Sequence, residues 1–375
     1  MKTKLIGGKV LMPNGCFAND TALLWEDGVL IAVGEACDAY TADHTVDAKG
    51  LSVIPGLIDA HTHGRGGHDF SMATAEQMAE MKLDYARHGV TAVFATLASD
   101  TEAAWHRAID SIQSVGFDGI HLEGCFLNVK KRGAHVADLL VPLDADVLES
   151  FLKEIKIPCH ISAAFELDET GEFTARALQY GATLGLAHTM ATAEEARVAL
   201  SRGVTAFTHL YNAMPALHHR EGGAVCIALL GGGYGEIIAD GMHICPEMVA
   251  LAYRCLGKDK TVLITDSMEA TGCADGEYSI AGQPVIVKDG RAVTLDGALA
   301  GSTLDLWNGV QNLMRFAGAS FAEAVTCATI NPARMLGVDG KLGSLEVGKR
   351  ADLLLVDENS MTIKEVYASG ERVIR

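Results

Sequence analysis

An apolar run that ends in two histidines occupies residues 53–64, Val53-Ile54-Pro55-Gly56-Leu57-Ile58-Asp59-Ala60-His61-Thr62-His63-Gly64. The run is too short to span a membrane, and its β-branched residues favour a buried strand. Because side chains alternate between the faces of a strand, His61 and His63 should point the same way. Two such imidazoles can bind one metal ion, although two hydrogen-bonded loop histidines are the alternative.

Apolar runs of this kind recur along the chain and stop at or lead to polar residues. Helical patterns at 74–88, 192–202, 246–256 and 304–316 separate several of them, and Thr192 begins a capping box. Eight strands that alternate with helices predict an α/β fold, a (β/α)₈ barrel of the TIM type. The candidate strands, each with the polar residue that follows, are 53–58 (His61 and His63), 90–94 (Thr96), 120–122 (Glu123), 159–164 (Glu166), 183–187 (His188), 206–208 (His209), 237–239 (Asp240) and 262–264 (Asp266).

The two ends of the chain share a different pattern, in which short apolar runs alternate with tight turns. This pattern is typical of β-hairpins. We therefore predict that residues 1–50 and 341–375 form one small β-sandwich domain and that residues 51–340 form the barrel. Between β-rich runs, Asp289-Gly290 predicts a β-hairpin excursion at 275–296, after the eighth strand.

Composition excludes several classes of partner. The chain has 375 residues, of which 48 are acidic and 30 basic, and a formal net charge of -18. This balance argues against nucleic acid and against an anionic membrane surface. Nine cysteines form no CxxC motif, and neither a signal peptide nor a membrane-spanning run is evident, so we expect a cytoplasmic protein.

The polar residues that follow the strands include four histidines and two carboxylates. In a barrel of this type they would meet at one rim, because catalytic side chains lie at the C-terminal ends of the strands. Taken singly, each fits hydrogen bonding or helix capping. Taken together, they fit a catalytic centre with about three protein ligands for zinc, iron or manganese. The six residues are His61, His63, Glu123, His188, His209 and Asp266.

Asp266 is the candidate proton carrier. A metal ion lowers the pKa of bound water and polarises a carbonyl group. A nearby carboxylate can take the proton from that water and pass it to a leaving amine. Asp266 follows the last strand and has no basic neighbour in the sequence. The alternative role for Asp266 is that of a structural hydrogen-bond acceptor for a ligand histidine.

Several motifs besides residues 53–64 stand out in the sequence. They are His121-Leu122-Glu123-Gly124, residues 130–135, Thr208-His209-Leu210-Tyr211-Asn212-Ala213-Met214-Pro215, Arg220-Glu221, Ile238-Ala239-Asp240-Gly241-Met242-His243, Thr265-Asp266 and Leu299-Ala300-Gly301-Ser302. These motifs resemble, in the same order, those of the N-acetylglucosamine-6-phosphate deacetylases, a branch of the amidohydrolase superfamily, and cover roughly residues 51 to 350. Residues 53–64 resemble the opening strand of the whole superfamily.

The resemblance implies a set of metal ligands. Glu123, His188 and His209 would hold the principal ion. His61 and His63 would hold a second ion, with Glu123 as the bridging ligand. Some members of the family lack the histidine pair and use one ion. We therefore expect one or two divalent ions per subunit, zinc or iron.

The resemblance also implies residues that act on the substrate. Asp266 would be the general base and acid, and His135 would polarise the acetyl carbonyl. Arg220 would supply the local cation that an anionic substrate needs on an acidic protein, although residues 218–220 also fit a solvated loop. The implied substrate-binding residues are Ala134, Asn212, Ala213, Arg220, Asp240, His243, Leu299, Ala300 and Gly301.

The activity implied by the resemblance is metal-dependent hydrolysis of an acetamide. The substrate would be N-acetyl-D-glucosamine 6-phosphate, and the products D-glucosamine 6-phosphate and acetate, in amino sugar catabolism. The galactosamine epimer or another small amide is the alternative substrate. A non-catalytic assembly protein is disfavoured because the candidate ligands and base are intact. We also expect a homodimer that binds neither nucleic acid nor membranes.

Overall fold

Eight parallel strands form a nearly closed barrel in the computed structural model, which describes residues 1–373. Consecutive strands are neighbours in the sheet. The first and last strands meet through hydrogen bonds from the Asp266 N–H to the His61 carbonyl (2.9 Å) and from the His63 N–H to the Ser267 carbonyl (2.8 Å). The barrel prediction is confirmed. The strands, β1 to β8, are Leu57–Thr62, Val90–Leu97, Gly119–Glu123, Cys159–Ala163, Thr183–Leu186, Ala206–Phe207, Tyr234–Ile238 and Thr261–Ile264.

Helices cover the outside of the barrel and bury one large apolar cluster against it. The predicted capping box is present, because Thr192 accepts from the Glu195 N–H while the Glu195 side chain binds the Thr192 backbone. The helices, α1 to α10, are Ala75–Arg87, Glu102–Val115, Ala145–Leu152, Glu172–Gln179, Ala193–Ser201, Gly223–Leu229, Pro246–Leu256, Leu306–Ala317, Phe321–Cys327 and Ile330–Met335. Short 3₁₀ segments are Gly34–Ala39, Val129–Lys131, Ala137–Leu139 and Phe165–Leu167.

The chain ends form two further sheets that share an apolar core, which includes Leu5, Trp25, Leu353 and Tyr367. One sheet has the strand order Val29–Val33, Leu23–Glu26, Lys2–Ile6 and His44–Asp47. The other has the order Glu371–Val373, Thr362–Ala368, Leu353–Asp357, Ser52–Pro55, Lys9–Leu11 and Phe17–Ala18. Residues 374–375, at the end of the predicted terminal segment, lie outside the described residues.

The predicted continuous strand at 53–58 is wrong, because the chain divides there between two sheets. Ser52–Pro55 pairs with the terminal strands, whereas Leu57–Thr62 begins the barrel. Gly56 forms the junction, where a Cβ atom would lie 2.0 Å from the Thr91 hydroxyl oxygen. Both halves are buried, so the apolar pattern continues across the junction and conceals it.

The excursion after β8 is a three-stranded antiparallel sheet, one strand more than the predicted hairpin. Its strands are Gly276–Ile280, Gln283–Lys288 and Arg291–Thr294. The sheet encloses a small apolar core that includes Met268 and Ala300. A two-stranded ladder, Gly64–Arg65 with His68–Asp69, follows β1. Within residues 1–373, no helix combines the length and the apolarity needed to cross a membrane.

The barrel interior contains a polar layer. The strand register aligns Thr96 with His121 and His121 with His160. His121 also lies 3.1 Å from the Thr96 hydroxyl through Nδ1 and 2.7 Å from the Ser162 hydroxyl through Nε2. The His61 ring packs on His121 with the ring centres 4.5 Å apart. Polar groups therefore support the histidine pair from within the barrel.

Candidate metal centre and cavity

Three residues of the candidate site lie just after barrel strands and have a strained backbone conformation. His188, His209 and Asp266 are each the second residue after a barrel strand. Their φ angles are 44°, 32° and 49°, in the left-handed region that non-glycine residues rarely adopt. Such strain costs roughly 1–3 kcal/mol per residue and is concentrated at functional sites. Three independent strand ends thus share one unusual turn.

One oxygen of Glu123 meets two imidazoles. Its Oε1 atom lies 3.3 Å from His188 Nε2 and 3.0 Å from His209 Nε2, and the two nitrogens lie 3.0 Å apart. Ligand bonds of about 2.0–2.2 Å in a tetrahedral zinc site place ligand atoms about 3.3–3.6 Å from one another. The spacing of these three atoms therefore fits a shared metal ion.

The other oxygen of Glu123 meets the histidine pair. Its Oε2 atom lies 3.0 Å from His63 Nε2 and 3.3 Å from His61 Nε2. Asp266 Oδ1 approaches the same nitrogens, at 3.2 Å from His63 and 3.5 Å from His61. His61 Nε2 is buried and makes no hydrogen bond within residues 1–373. This second group of donors also fits an ion, with Glu123 between the two positions.

The charges of the centre favour a cation. Burial raises the pKa of Glu123, but His61, His188 and His209 together lower it well below its usual value. Burial also raises the pKa of Asp266, yet His61 and His63 lower it to about 2. Burial lowers the pKa of His63, whereas Asp266 and Glu123 raise it to about 9. Two ionised carboxylates therefore lie among imidazoles, which suits a divalent metal.

Groups behind the candidate ligands fix their orientation. His188 Nδ1 lies 2.7 Å from the Lys131 carbonyl, so this nitrogen donates its hydrogen and Nε2 faces Glu123 with a free lone pair. His135 Nδ1 accepts from the Ser99 N–H (3.3 Å) and lies 2.9 Å from the Ser99 hydroxyl. The proton of the neutral His135 ring is therefore on Nε2, which faces Glu123 Oε2 at 3.9 Å.

A cavity of about 230 Å³ opens over these atoms. Most of the residues predicted for the metal, the proton transfer and the substrate contribute to its lining. Gly133 and Ile280 complete the wall. The predicted residues that line the cavity are His63, Glu123, Ala134, His135, His188, His209, Asn212, Ala213, His243, Asp266, Leu299 and Gly301.

Comparison with known proteins identifies the family. The model of the amidohydrolase family matches residues 52–373. The chain belongs to the amidohydrolase family. A relative from Vibrio furnissii, N-acetylglucosamine-6-phosphate deacetylase, is 34% identical over 93% of this chain and 92% of its own length. A relative from Escherichia coli O157:H7, N-acetylgalactosamine-6-phosphate deacetylase, is 33% identical over 98% and 99%.

Solved structures agree with this amidohydrolase in fold. A mutant N-acetyl-D-glucosamine-6-phosphate deacetylase from Mycobacterium smegmatis, in complex with N-acetyl-D-glucosamine-6-phosphate, superposes with a TM-score of 0.90. It is 29% identical, and the match covers 100% of both chains. The deacetylase from Thermotoga maritima gives a TM-score of 0.88 at 30% identity, with 99% of both chains covered.

Four residues predicted for the site of this amidohydrolase lie outside the cavity lining. His61 is fully buried behind it. Asp240 Oδ2 lies 2.7 Å from His243 Nδ1 and so holds that ring. Ala300 is buried in the apolar core of the three-stranded sheet. Arg220 is exposed, with Nη1 2.9 Å from His219 Nε2, and the structure does not bring it to the cavity of its own chain.

Sequence patterns missed the residues that orient the ligands. Ser99 and the Lys131 carbonyl carry no signal, because a backbone group or a loop serine is unremarkable in a sequence. Glu236 did carry one, as the only charged residue of the otherwise apolar strand β7. Its carboxylate is fully buried and lies 3.4 Å from His61 Nδ1.

Proposed function

We propose that this amidohydrolase deacetylates N-acetyl-D-glucosamine 6-phosphate to D-glucosamine 6-phosphate and acetate. The observation that carries the proposal is the cavity in which Glu123, His188 and His209 converge opposite Asp266. Relatives of this name, about one-third identical over most of the chain, supply the substrate. When bound, a divalent ion supplies Lewis acidity that activates water and polarises a carbonyl group.

Asp266 moves the proton in the proposed reaction. Its low pKa keeps the carboxylate ionised and able to accept a proton from the attacking water as the new C–O bond forms. Asp266 then gives this proton to the amide nitrogen as the C–N bond breaks. The free amine and acetic acid leave, and the Asp266 carboxylate returns to its starting state. At neutral pH the acid loses its proton and the amine gains one, which gives acetate and the ammonium form of the sugar.

His135 stabilises the charge that develops on the acetyl oxygen. Burial lowers the pKa of His135 to about 3, helped by His188, so the ring is neutral. Because Nδ1 accepts from Ser99, Nε2 carries the hydrogen and can donate it to the oxygen. A preorganised donor of this kind contributes strongly to acyl transfer.

The lining of the cavity includes both apolar and polar side chains. Ala134, Leu299 and Ile280 provide apolar contacts for the acetyl methyl group and the sugar ring. Asn212 and His243 are polar residues of the lining, and we place the phosphate beside them. Burial lowers the pKa of His243, but Asp240 raises it above its usual value, which favours the cationic ring that a phosphate requires.

Acetate release from a panel of sugars tests this function. The protein is loaded with zinc or with iron and assayed with the 6-phosphates of N-acetylglucosamine and N-acetylgalactosamine and with plain N-acetylglucosamine. We expect the highest kcat/KM for N-acetylglucosamine 6-phosphate. The relative from Escherichia coli O157:H7 favours the galactosamine epimer as the second candidate, and a higher kcat/KM for it would select that activity. A metal-loaded protein that releases no acetate from any phosphorylated sugar would contradict both.

We also propose a homodimer that resides in the cytoplasm. The proposal places the exposed side chains of Leu217 and Leu230, which are 48% and 75% exposed, against a second copy. The nine cysteines form no disulfide in the described structure, which supports a reducing compartment. Sedimentation equilibrium tests the dimer, and a mass equal to that of one chain would exclude it. Cell fractionation tests the location.

A further inference from the structure

A buried carboxylate lies beside the proposed metal ligands. The Glu236 side chain is 0% exposed. Among the basic groups of residues 1–373, only His61 and His160 approach its carboxylate within 4.0 Å. Removing a carboxylate from water costs several kcal/mol unless partners compensate, so an apolar side chain would be the less costly choice inside a barrel. The position of Glu236 therefore requires an explanation beyond packing.

One oxygen of Glu236 contacts a candidate ligand of each ion. Its Oε2 atom lies 3.4 Å from His61 Nδ1 and accepts a hydrogen bond from the His209 N–H at 3.2 Å. The other oxygen, Oε1, is buried without a hydrogen-bond partner and lies 4.0 Å from His160 Nε2. The contacts of Oε2 with His61 and His209 therefore account for the hydrogen bonding of this side chain within the described structure.

These contacts have a consequence for both histidines. A carboxylate that faces His61 Nδ1 holds the hydrogen on that nitrogen, which leaves the lone pair on Nε2, 3.3 Å from Glu123 Oε2. The bond to the His209 N–H stabilises a turn whose φ is 32°. Glu236 thus acts on the side chain of one ligand and on the backbone of the other.

We propose that Glu236 is a positioning residue for a two-ion centre. It fixes the tautomer and the ring orientation of His61 for the second ion, and it holds the turn that presents His209 to the principal ion. The inference rests on the proposed function, because it assumes that these histidines bind metal. Glu236 does not line the cavity and takes no part in bond making or breaking.

Metal titration of three variants tests this role. Glu236→Gln keeps an acceptor oxygen but removes the charge, whereas Glu236→Leu removes both. Asp168→Asn is the matched control, because Asp168 is a buried carboxylate whose hydrogen bonds go to Gly171 and Thr174, away from the centre. Dissociation constants for Zn²⁺ and Co²⁺ are measured by competition with a chelator, and the visible spectrum of the Co²⁺ protein reports ligand geometry.

We expect the second ion to bind about 10-fold more weakly in Glu236→Gln and up to about 100-fold more weakly in Glu236→Leu, since outer partners of ligand histidines typically contribute this much. The Co²⁺ spectrum of the second site should change in both variants, and Asp168→Asn should match the wild type. Wild-type affinity for both ions in Glu236→Gln would overturn the proposal, even if Glu236→Leu fails to fold. A wild-type protein that takes up only one ion would also overturn it.

A double variant tests whether Glu236 affects the second ion through the His61 ring. If Glu236 acts through that ring, adding Glu236→Gln to His61→Ala should weaken the remaining second-site affinity no further. If the losses of second-site affinity in the two single variants add up in the double variant, Glu236 does not act through His61. The titrations contain no sugar, so a failure of the proposed deacetylase activity would leave their outcome intact, and the two failures are distinguishable.

Discussion

Asp266 is predicted to be essential for turnover but not for the principal ion. Its Oδ1 atom lies beside the histidine pair, 3.2 Å from His63 Nε2, whereas the principal ion is assigned to other side chains. Asp266→Asn keeps the shape of the side chain and removes the proton acceptor. We expect kcat to fall by about 10²–10⁴-fold with the principal ion still bound. Acetate release and elemental analysis measure the two properties.

A matched control for this variant is Asp289→Asn. Asp289 is also an aspartate with positive φ (52°), but it is exposed on the three-stranded sheet. It should retain wild-type kcat. A near-wild-type kcat in Asp266→Asn would show that Asp266 does not transfer the proton.

The candidate ligands should divide into two groups when they are removed. His188→Ala and His209→Ala each delete one of the two imidazoles that share Glu123 Oε1, so each should lose the principal ion. The double variant His61→Ala/His63→Ala should lose at most the second ion and keep the principal ion, because Glu123, His188 and His209 remain. Elemental analysis counts the ions per chain. If the double variant is the metal-free protein, the two positions have been assigned in the wrong order.

His160 should make stability depend on pH. Burial lowers the pKa of this fully buried ring to about 4, although Glu236 opposes the shift. The unfolded chain takes up a proton below its pKa of about 6.5, whereas the folded chain does so only near 4. The folded state binds fewer protons than the unfolded state in this window. The free energy of unfolding therefore falls by up to about 3 kcal/mol as the pH falls from 6.5 to 4.

His160→Gln removes this titration. Urea unfolding of the metal-free protein should show a smaller loss of stability between pH 6.5 and pH 4 in the variant than in the wild type. His44→Gln, at an exposed strand position, should keep the wild-type dependence. Equal pH dependence in wild type and His160→Gln would show that the pKa of His160 in the folded protein is not lowered.

At the scale of elements, Arg65, in the ladder that follows β1, joins this part of the barrel to two helices. Its guanidinium is almost fully buried and binds Asp84 of α1 (Nε to Oδ2, 2.5 Å) and Asp305, the residue before α8 (Nη1 to Oδ1, 3.1 Å). Arg65→Met would leave both carboxylates without this partner. Because Asp84 and Asp305 are themselves 33% and 28% exposed, we expect a loss of about 1.5–3 kcal/mol, the contribution of a hydrogen bond to a charged group.

Urea unfolding measures the cost of Arg65→Met. Arg107→Met is the control, because among the described residues the Arg107 Nη1 donates only to the Ala103 carbonyl of its own exposed helix face. We expect a change within about 0.5 kcal/mol for the control. A similarly small loss in Arg65→Met would show that helices α1 and α8 are held to β1 by apolar packing alone.

The order of the barrel strands could be predicted from the sequence, but not every helix or every boundary. The eight strands stand out because buried parallel strands are short, apolar and β-branched. Helices α2, α3, α4, α6, α9 and α10 lie outside the predicted helical ranges. Helix α4 follows Gly171, which offers no side chain as a cap, and α6 has only seven residues. Gly56 marks a change of sheet that no local pattern reveals, since partners distant in sequence decide it.

Some residues of the candidate site could be predicted from the sequence and others could not. Donors such as Glu123 and His188 could be predicted because the fold gathers the residues that follow its strands. The groups that orient them could not, because their contacts are distant in sequence. Glu236 and His61, for example, are 175 residues apart. The exposed position of Arg220 depends on the path of a loop, which a motif does not specify.

For the whole molecule, the net charge of -18 makes the source of a phosphate contact important. Arg220 lies outside the cavity lining of its own chain. It can reach a bound phosphate if its loop closes over the cavity or if a second subunit presents it. The proposed homodimer would provide the second route. In that case, KM for the phosphorylated sugar should rise when the protein is diluted below the dissociation constant of the dimer.

Arg220→Ala should therefore weaken substrate binding more than it slows the chemistry. A hydrogen bond to a charged group contributes about 1.5–3 kcal/mol, which corresponds to roughly a 10- to 150-fold rise in KM. The value of kcat should fall less, because the guanidinium is remote from the bond that breaks; any fall would measure how much phosphate binding helps to position the amide. Unphosphorylated N-acetylglucosamine should be an equally poor substrate for both proteins. If Arg220→Ala retains the wild-type preference for the phosphorylated sugar, then His243 and Asn212 must bind the phosphate without it, and residues 218–220 are a solvated loop.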